Sequence, residues 1–163
     1  GHITIDDRGP LCTCGNRGCL EAMAGGRAIA EQARQAVKQG RRTQLAAIKP
    51  LERITALDVA TAARMGDLVA QEIVSKAGEY LGIAIASLIN VVNPSLIVIG
   101  GGVAQMGDLF LDPIRRTVAE RSLRAASQAV RITAAVLGRR STSMGAAVQA
   151  LTFALYQRIN GSN

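Results

Sequence analysis

Residues 79–108 read EYLGIAIASLINVVNPSLIVIGGGVAQMGD, and the interval between Glu79 and Asp108 carries no charge. Such a stretch is either a membrane span or two buried elements joined by a turn. Asn90, Asn93, Pro94 and the triplet Gly100-Gly101-Gly102 interrupt it, so the roughly 20 uninterrupted apolar helical residues needed to cross a bilayer are absent. Pro94 disfavours helical geometry at the residue before it, which ends a helix at Asn93. Leu96-Ile97-Val98-Ile99 is then a short β-branched run, expected to be a strand buried on both faces.

Upstream, Val69, Ile73, Ala77, Leu81, Ile85, Leu88 and Val92 recur every three or four residues, which predicts a long helix opening at Asp67 with that stripe buried. Gly78, Gly82 and Ala86 form a second stripe of small residues that predicts a closely packed backbone. Thr55 with Asp58 makes an approximate capping box for the preceding helix, and Gly66 stops it. Before these lie a helix from about Arg27 to Lys38 and a polar, basic connection over 41–54. After the glycines come a helix from about Asp108 to Arg124, a strand from about Ala129 to Val136 and a helix from about Ser143 to Tyr156. That order is α/β with crossover connections.

The 163 residues fit one domain or a piece of a larger protein, and 48% apolar with 19% charged residues supports a folded core. With 2% aromatics and no Trp, a base-stacking platform for single-stranded nucleic acid has almost nothing to be built from. The net charge of +7 allows an anionic partner, but the Arg residues are spread from Arg8 to Arg158, as in a solvated basic surface. No signal peptide opens the sequence, so a cytoplasmic location without a membrane partner is expected.

All three cysteines, Cys12, Cys14 and Cys19, fall within eight residues, and the chain's one His, His2, stands ten positions before the first. Three thiolates and an imidazole are the donor set of a closed tetrahedral zinc site, with Gly15 and Gly18 allowing tight turns. Free structural thiols and redox chemistry are the alternatives; a disulfide would leave one cysteine over. A closed site has no open position to activate water, which argues against a zinc hydrolase. The loop from Gly100 fits neither the dinucleotide fingerprint nor the P-loop, and it reads equally as a tight turn or as backbone set close to a nucleotide.

The run GHITIDDRGPLCTCGNRGCLE, residues 1–21, closely resembles the zinc-loop signature of the ROK family of repressors and sugar kinases: Gly-His, then Cys-x-Cys-Gly-x-x-Gly-Cys-x-Glu. The Asn93-Pro94 turn, apolar strand and glycine triplet match a second feature of that family. The resemblance implies the actin-like, ribonuclease-H-like α/β fold, with this chain as the carboxyl-terminal half, divided into a zinc-binding loop (1–26) and the α/β remainder (27–163). It further implies that His2, Cys12, Cys14 and Cys19 hold zinc and that His2 and Glu21 reach sugar hydroxyls. Gly101 and Gly102 would wall an adenosine where ATP and Mg are used; an ordinary surface carboxylate is the alternative for Glu21.

Neither the Asp-x-Gly-x-Thr phosphate loop nor the catalytic Asp of such kinases occurs in this sequence, so no catalytic residue is assigned and this chain alone is expected to lack kinase activity. The segment Arg121 to Ala147 is more like the family's regulators. The expected role is therefore the sugar-recognition half of a carbohydrate-responsive transcriptional regulator, with DNA contacted only through an amino-terminal segment. The alternatives are the corresponding half of an ATP-dependent hexose or amino-sugar kinase, and a structural or oligomerisation fragment. Missing first strands would leave an exposed sheet edge, which predicts a homo-oligomer.

Overall fold

The computed structural model describes residues 1–101 and 103–160. Its central element is helix α4, Leu68–Val92. Asp67 caps it by accepting from the Ala70 amide at 3.0 Å. Its second carboxylate oxygen accepts from the Thr43 hydroxyl at 2.8 Å and the Gln44 amide at 2.6 Å, which ties the preceding connection to the start of the helix. That connection is therefore more than a polar link. It holds two single-turn 3-10 helices, Gln44–Ala47 and Leu51–Arg53, and buries Leu45 and Ile54.

Around α4 pack helices α1 (Leu20–Ala24), α2 (Gly26–Lys38), α3 (Ala56–Arg64) and α5 (Asp108–Arg121). The first 26 residues are thus not all loop, since α1 and the start of α2 fall within them. Helix α3 opens on the expected capping box, with Thr55 accepting from the Asp58 amide while Asp58 accepts from the Thr55 amide, and Gly66 follows its end at φ +89°. A shared core runs through Ile29, Ala33, Leu45, Ile54, Val59, Val74, Phe110 and Ile114.

The small-residue stripe on α4 faces α5. A Cβ on Gly82 would lie 2.6 Å from Thr117 Cβ and 3.1 Å from the Ile114 carbonyl, and one on Gly78 would lie 2.8 Å from the Phe110 carbonyl. This approach shifts the buried face of α4. Leu88 (46% exposed) and Val92 (66%), both expected in the buried stripe, are outside it, and Ile89 is buried instead.

Asn93 ends α4 in the left-handed region at φ 46°, and β1, Leu96–Ile99, follows. It pairs in parallel with β2, Arg131–Ala134, in the register Leu96 with Arg131 to Ile99 with Ala134, so the segment between them is the predicted crossover. The expectation that β1 is buried on both faces fails. Ile97 and Ile99 pack on the helices, while Leu96 and Val98 stay exposed because no element covers the sheet's other side among the described residues.

The crossover holds two helices where one was expected to Arg124. Helix α5 stops at Arg121, where the Asn90 side chain accepts from the Leu123 amide at 2.9 Å, and a short α6, Arg124–Ala129, leads into β2. Arg115 joins α5 to β2 by donating to the Ile132 carbonyl at 3.3 Å, and it pairs with Asp108 and Asp112. The last helix, α7, runs from Ser141 to Asn160, longer than expected at both ends. Among the described residues no helix is long and apolar enough to cross a membrane.

Candidate metal and ligand site

The segment before α1 is shaped by backbone hydrogen bonds. The Ile5 amide donates to the Gly18 carbonyl at 2.8 Å, Gly18 to Pro10 at 2.8 Å and Cys12 to Asn16 at 2.7 Å, with antiparallel bridges at Thr4–Cys19 and Leu11–Arg17. Gly18 takes φ +60°, and a Cβ there would fall on the Asp6 carbonyl, so only glycine lets these strands meet. The Asn16 amide donates to the Thr4 hydroxyl at 2.8 Å and closes the same turn.

These contacts bring together the residues expected to bind metal. The donor atoms of His2, Cys12, Cys14 and Cys19 all lie within 4.8 Å of one another. Cys14 Sγ is 3.6 Å from Cys19 Sγ, and Cys12 Sγ is 3.6 Å from His2 Nδ1. A tetrahedral zinc ion with sulfur bonds of about 2.3 Å and a nitrogen bond of about 2.0–2.1 Å sets two sulfurs about 3.8 Å apart and a sulfur and nitrogen about 3.6 Å apart. The donor set matches such an ion, and the Cys14–Cys19 and Cys12–His2 separations match edges of its tetrahedron, while the remaining pairs lie within 4.8 Å.

Cys12 and Cys19 are buried, and Cys14 is exposed. Burial, with Cys14 and Cys12 as neighbours, pushes the Cys19 thiol up to about 11. The Cys14 amide and the contacts with Cys14, His2 and Cys19 lower Cys12 to about 6.

Glu21 stands in the first turn of α1, two residues after Cys19, with an exposed carboxylate. Its amide donates to the Gly1 carbonyl at 2.8 Å, and the Leu20 amide donates to the Ile3 carbonyl at 2.9 Å. The segment with the four donors and Glu21 are thus one hydrogen-bonded unit that carries His2 beside the start of α1. A cleft of about 330 Å³ opens alongside, lined by Glu21, Thr13, Arg27, Glu31 and Arg34 among others. Arg34 donates to Glu31 at 2.9 Å and holds that carboxyl below its ordinary range. Arg27, Glu31 and Arg34 stand four and three residues apart on one face of α2, and the sequence analysis singled out none of them.

Gly101 is exposed at φ +86°, and among the described residues beyond its chain neighbours no atom lies within 4 Å of where a Cβ would sit, so its backbone is open to a ligand. Gly102, assigned with it, lies outside the described residues.

The ROK family sequence model matches residues 1–152. A xylose repressor from Caldicellulosiruptor bescii is 32% identical over 89% of this chain and 36% of its own length. A glucokinase from Halalkalibacterium halodurans is 40% identical over 85% of this chain and 42% of its own. Among solved structures, a ROK family transcriptional regulator that is a homologue of the E. coli MLC protein superposes with a TM-score of 0.76 at 36% identity, over 82% of this chain and 33% of that one. The ROK family glucokinase from Streptomyces griseus, in complex with glucose and AMPPNP, gives a TM-score of 0.69 at 32% identity over 86% of this chain and 46% of that one. The chain spans about two-fifths of the length of the curated relatives, and its α/β arrangement is the actin-like one of these proteins.

Proposed function

Because this chain belongs to the ROK family, we propose that it is the zinc-stabilised sugar-recognition part of a carbohydrate-responsive transcriptional regulator. The observation that carries this reading is the four-donor cluster, its donor atoms within 4.8 Å of one another, hydrogen-bonded to the turn that presents Glu21. His2, Cys12, Cys14 and Cys19 hold the ion, which supplies a cross-link between residues 1–3 and the start of α1. With four protein donors it has no open position, so it activates no water.

The remaining work falls to this chain's own groups. The Glu21 carboxylate accepts hydrogen bonds from two adjacent sugar hydroxyls, and His2 offers its second ring nitrogen to a third. Polar groups fixed by a rigid segment discriminate stereoisomers, because a misplaced hydroxyl leaves a partner unsatisfied. Sugar binding then shifts the population between conformations of the parent, and DNA contact belongs to a winged-helix segment outside these 163 residues. The likeness of Arg121 to Ala147 to the family's regulators supports this role. Residues 1–26 act as the zinc-binding loop and 27–163 as its α/β support, with self-association through the strand edges left unpaired among the described residues.

A second reading is favoured by the 40% identity to a glucokinase: the parent is an ATP-dependent sugar kinase, and Gly101 and Gly102 wall its nucleotide. Calorimetry with zinc-loaded protein and a panel of aldohexoses, pentoses and N-acetylated amino sugars tests both. The expected result is binding of one stereochemical class, lost in Glu21→Gln, with no sugar phosphate formed when ATP and Mg are added. Sugar phosphate from this chain overturns the regulator reading, and no binding of any sugar at millimolar concentration overturns the recognition role.

A further inference from the structure

We propose that Cys14 is a hydroperoxide-reactive modification site whose product is a Cys14–Cys19 disulfide that dismantles the four-donor cluster. Of the three thiols only Cys14 is exposed, so it is the one a small oxidant meets first. Its sulfur lies 3.6 Å from Cys19 Sγ, and a disulfide of about 2.05 Å requires the two to close by only about 1.5 Å. Cys12 is directed to His2 Nδ1 at 3.6 Å and is separated from Cys14 by the single residue Thr13, so Cys19 is the better placed resolving thiol.

The step balances. The Cys14 thiolate attacks the O–O bond of the hydroperoxide, giving a sulfenic acid and, after protonation of the leaving oxygen, water or an alcohol. The Cys19 sulfur attacks the sulfenic sulfur, the S–S bond forms and hydroxide leaves as water with the Cys19 proton. Two thiols lose two electrons and the peroxide gains them. Only His2 and Cys12 then remain as donors, half of a tetrahedral set, so the metal leaves. Because the Glu21 amide is bonded to the Gly1 carbonyl and Leu20 to Ile3, the loss frees the segment that carries His2 and uncouples it from Glu21. The metal-release arm rests on the zinc reading above; the disulfide arm rests on geometry alone.

The test titrates the zinc-loaded chain with hydrogen peroxide and follows three readouts: total thiols after denaturation, zinc captured by a chromophoric chelator, and tryptic peptide masses. Trypsin separates Cys12 and Cys14, in residues 9–17, from Cys19, in residues 18–27. The expected result is a fall from three thiols to one, release of zinc in step, and a cross-linked peptide pair joined through Cys14, all reversed by reductant plus zinc. In Cys12→Ser the same cross-link forms, whereas Cys14→Ser keeps both remaining thiols. A Cys12–Cys14 disulfide, linkage through Cys12, or three thiols persisting where glutathione is oxidised overturns the proposal. Protein purified without chelator that contains no zinc refutes the zinc reading, and the peptide linkage in that same protein still decides the pairing.

Discussion

The close approach of α4 and α5 sets the sign of a substitution that helix propensity alone would predict wrongly. Replacing an exposed helical glycine by alanine stabilises by about 1 kcal/mol. At Gly82 the new methyl would stand 2.6 Å from Thr117 Cβ and 3.0 Å from its Cγ2, against the roughly 3.5–4.0 Å at which carbons pack. A Cβ cannot swing aside, so the helices must part by about 1 Å; overpacking of this kind costs about 1–3 kcal/mol. The balance for Gly82→Ala is a loss of about 1 kcal/mol, and a domain of this size loses about 2–4 °C in Tm for each such loss. Gly78→Ala meets a backbone carbonyl at 2.8 Å and Pro113 Cβ at 3.0 Å and should lose as much or more. Gly145, on α7 with nothing within 4 Å, is the internal comparison, and Gly145→Ala should not lower Tm. Thermal melts followed by circular dichroism decide it: a Tm for Gly82→Ala at or above that of the parent chain would refute the close packing.

Three further outcomes follow from the structure. Chelation should speed amide exchange across residues 1–19 while the amides of α4 and α5 keep their protection, and uniform protection before and after chelation would show that metal does not hold the segment. Burial alone would raise the Asp67 carboxyl, but the Ala70 and Gln44 amides and the Thr43 hydroxyl outweigh it and hold it below its ordinary value. Its folded pKa being depressed, the stability it contributes is complete above about pH 4 and is lost as pH falls through the lowered value. Asp67→Ala should cost about 2–3 kcal/mol at pH 7, from a lost cap and an unsatisfied Gln44 amide, and less in acid; a pH-independent cost in denaturant melts would sink this. Light scattering should show self-association through the edges of β1 and β2 that are unpaired among the described residues, and a monomer at high concentration would count against it.

How much of this was legible in the sequence depended on how local its cause was. The caps at Thr55 and Asp67 and the stops at Gly66 and Asn93 were readable because each is settled within four residues by side-chain and backbone chemistry. The register of α4 beyond Ile85 was not. A stripe continued through Leu88 and Val92 assumes one buried face along the whole helix, whereas α5 crosses on the side of Gly78, Gly82 and Ala86 and carries the buried face to Ile89. The glycine stripe was itself the signal for that crossing. Strand β1 failed for a related reason: an apolar run reports that burial is tolerated, and how many faces are covered depends on what packs there. Leu96 and Val98 remain open where Ile97 and Ile99 meet the helices.

The candidate site divides along the same line. The first 19 residues bury only Gly9, Cys12, Gly18 and Cys19, so the segment has no apolar core of its own. Small units of that kind need a cross-link to hold a shape, and here the four donors that could supply one are the residues whose chemistry is most distinctive in the sequence. The clustering of His2, Cys12, Cys14 and Cys19 could therefore be read from the sequence, and the metal that would join them is the proposal above. Glu21 inherits its place from that frame, through the Gly1 carbonyl. Gly101 shows the opposite case: a glycine at positive φ with empty space around it meets the demands of a turn and of a ligand equally well. What separates the two is occupancy by a nucleotide, so ATP titration followed by amide exchange at Gly100 and Gly101 is the measurement that distinguishes them. Protection on adding ATP would support the kinase reading of the parent, and unchanged exchange at saturating ATP would leave the loop as the turn that connects β1 to the segment before α5.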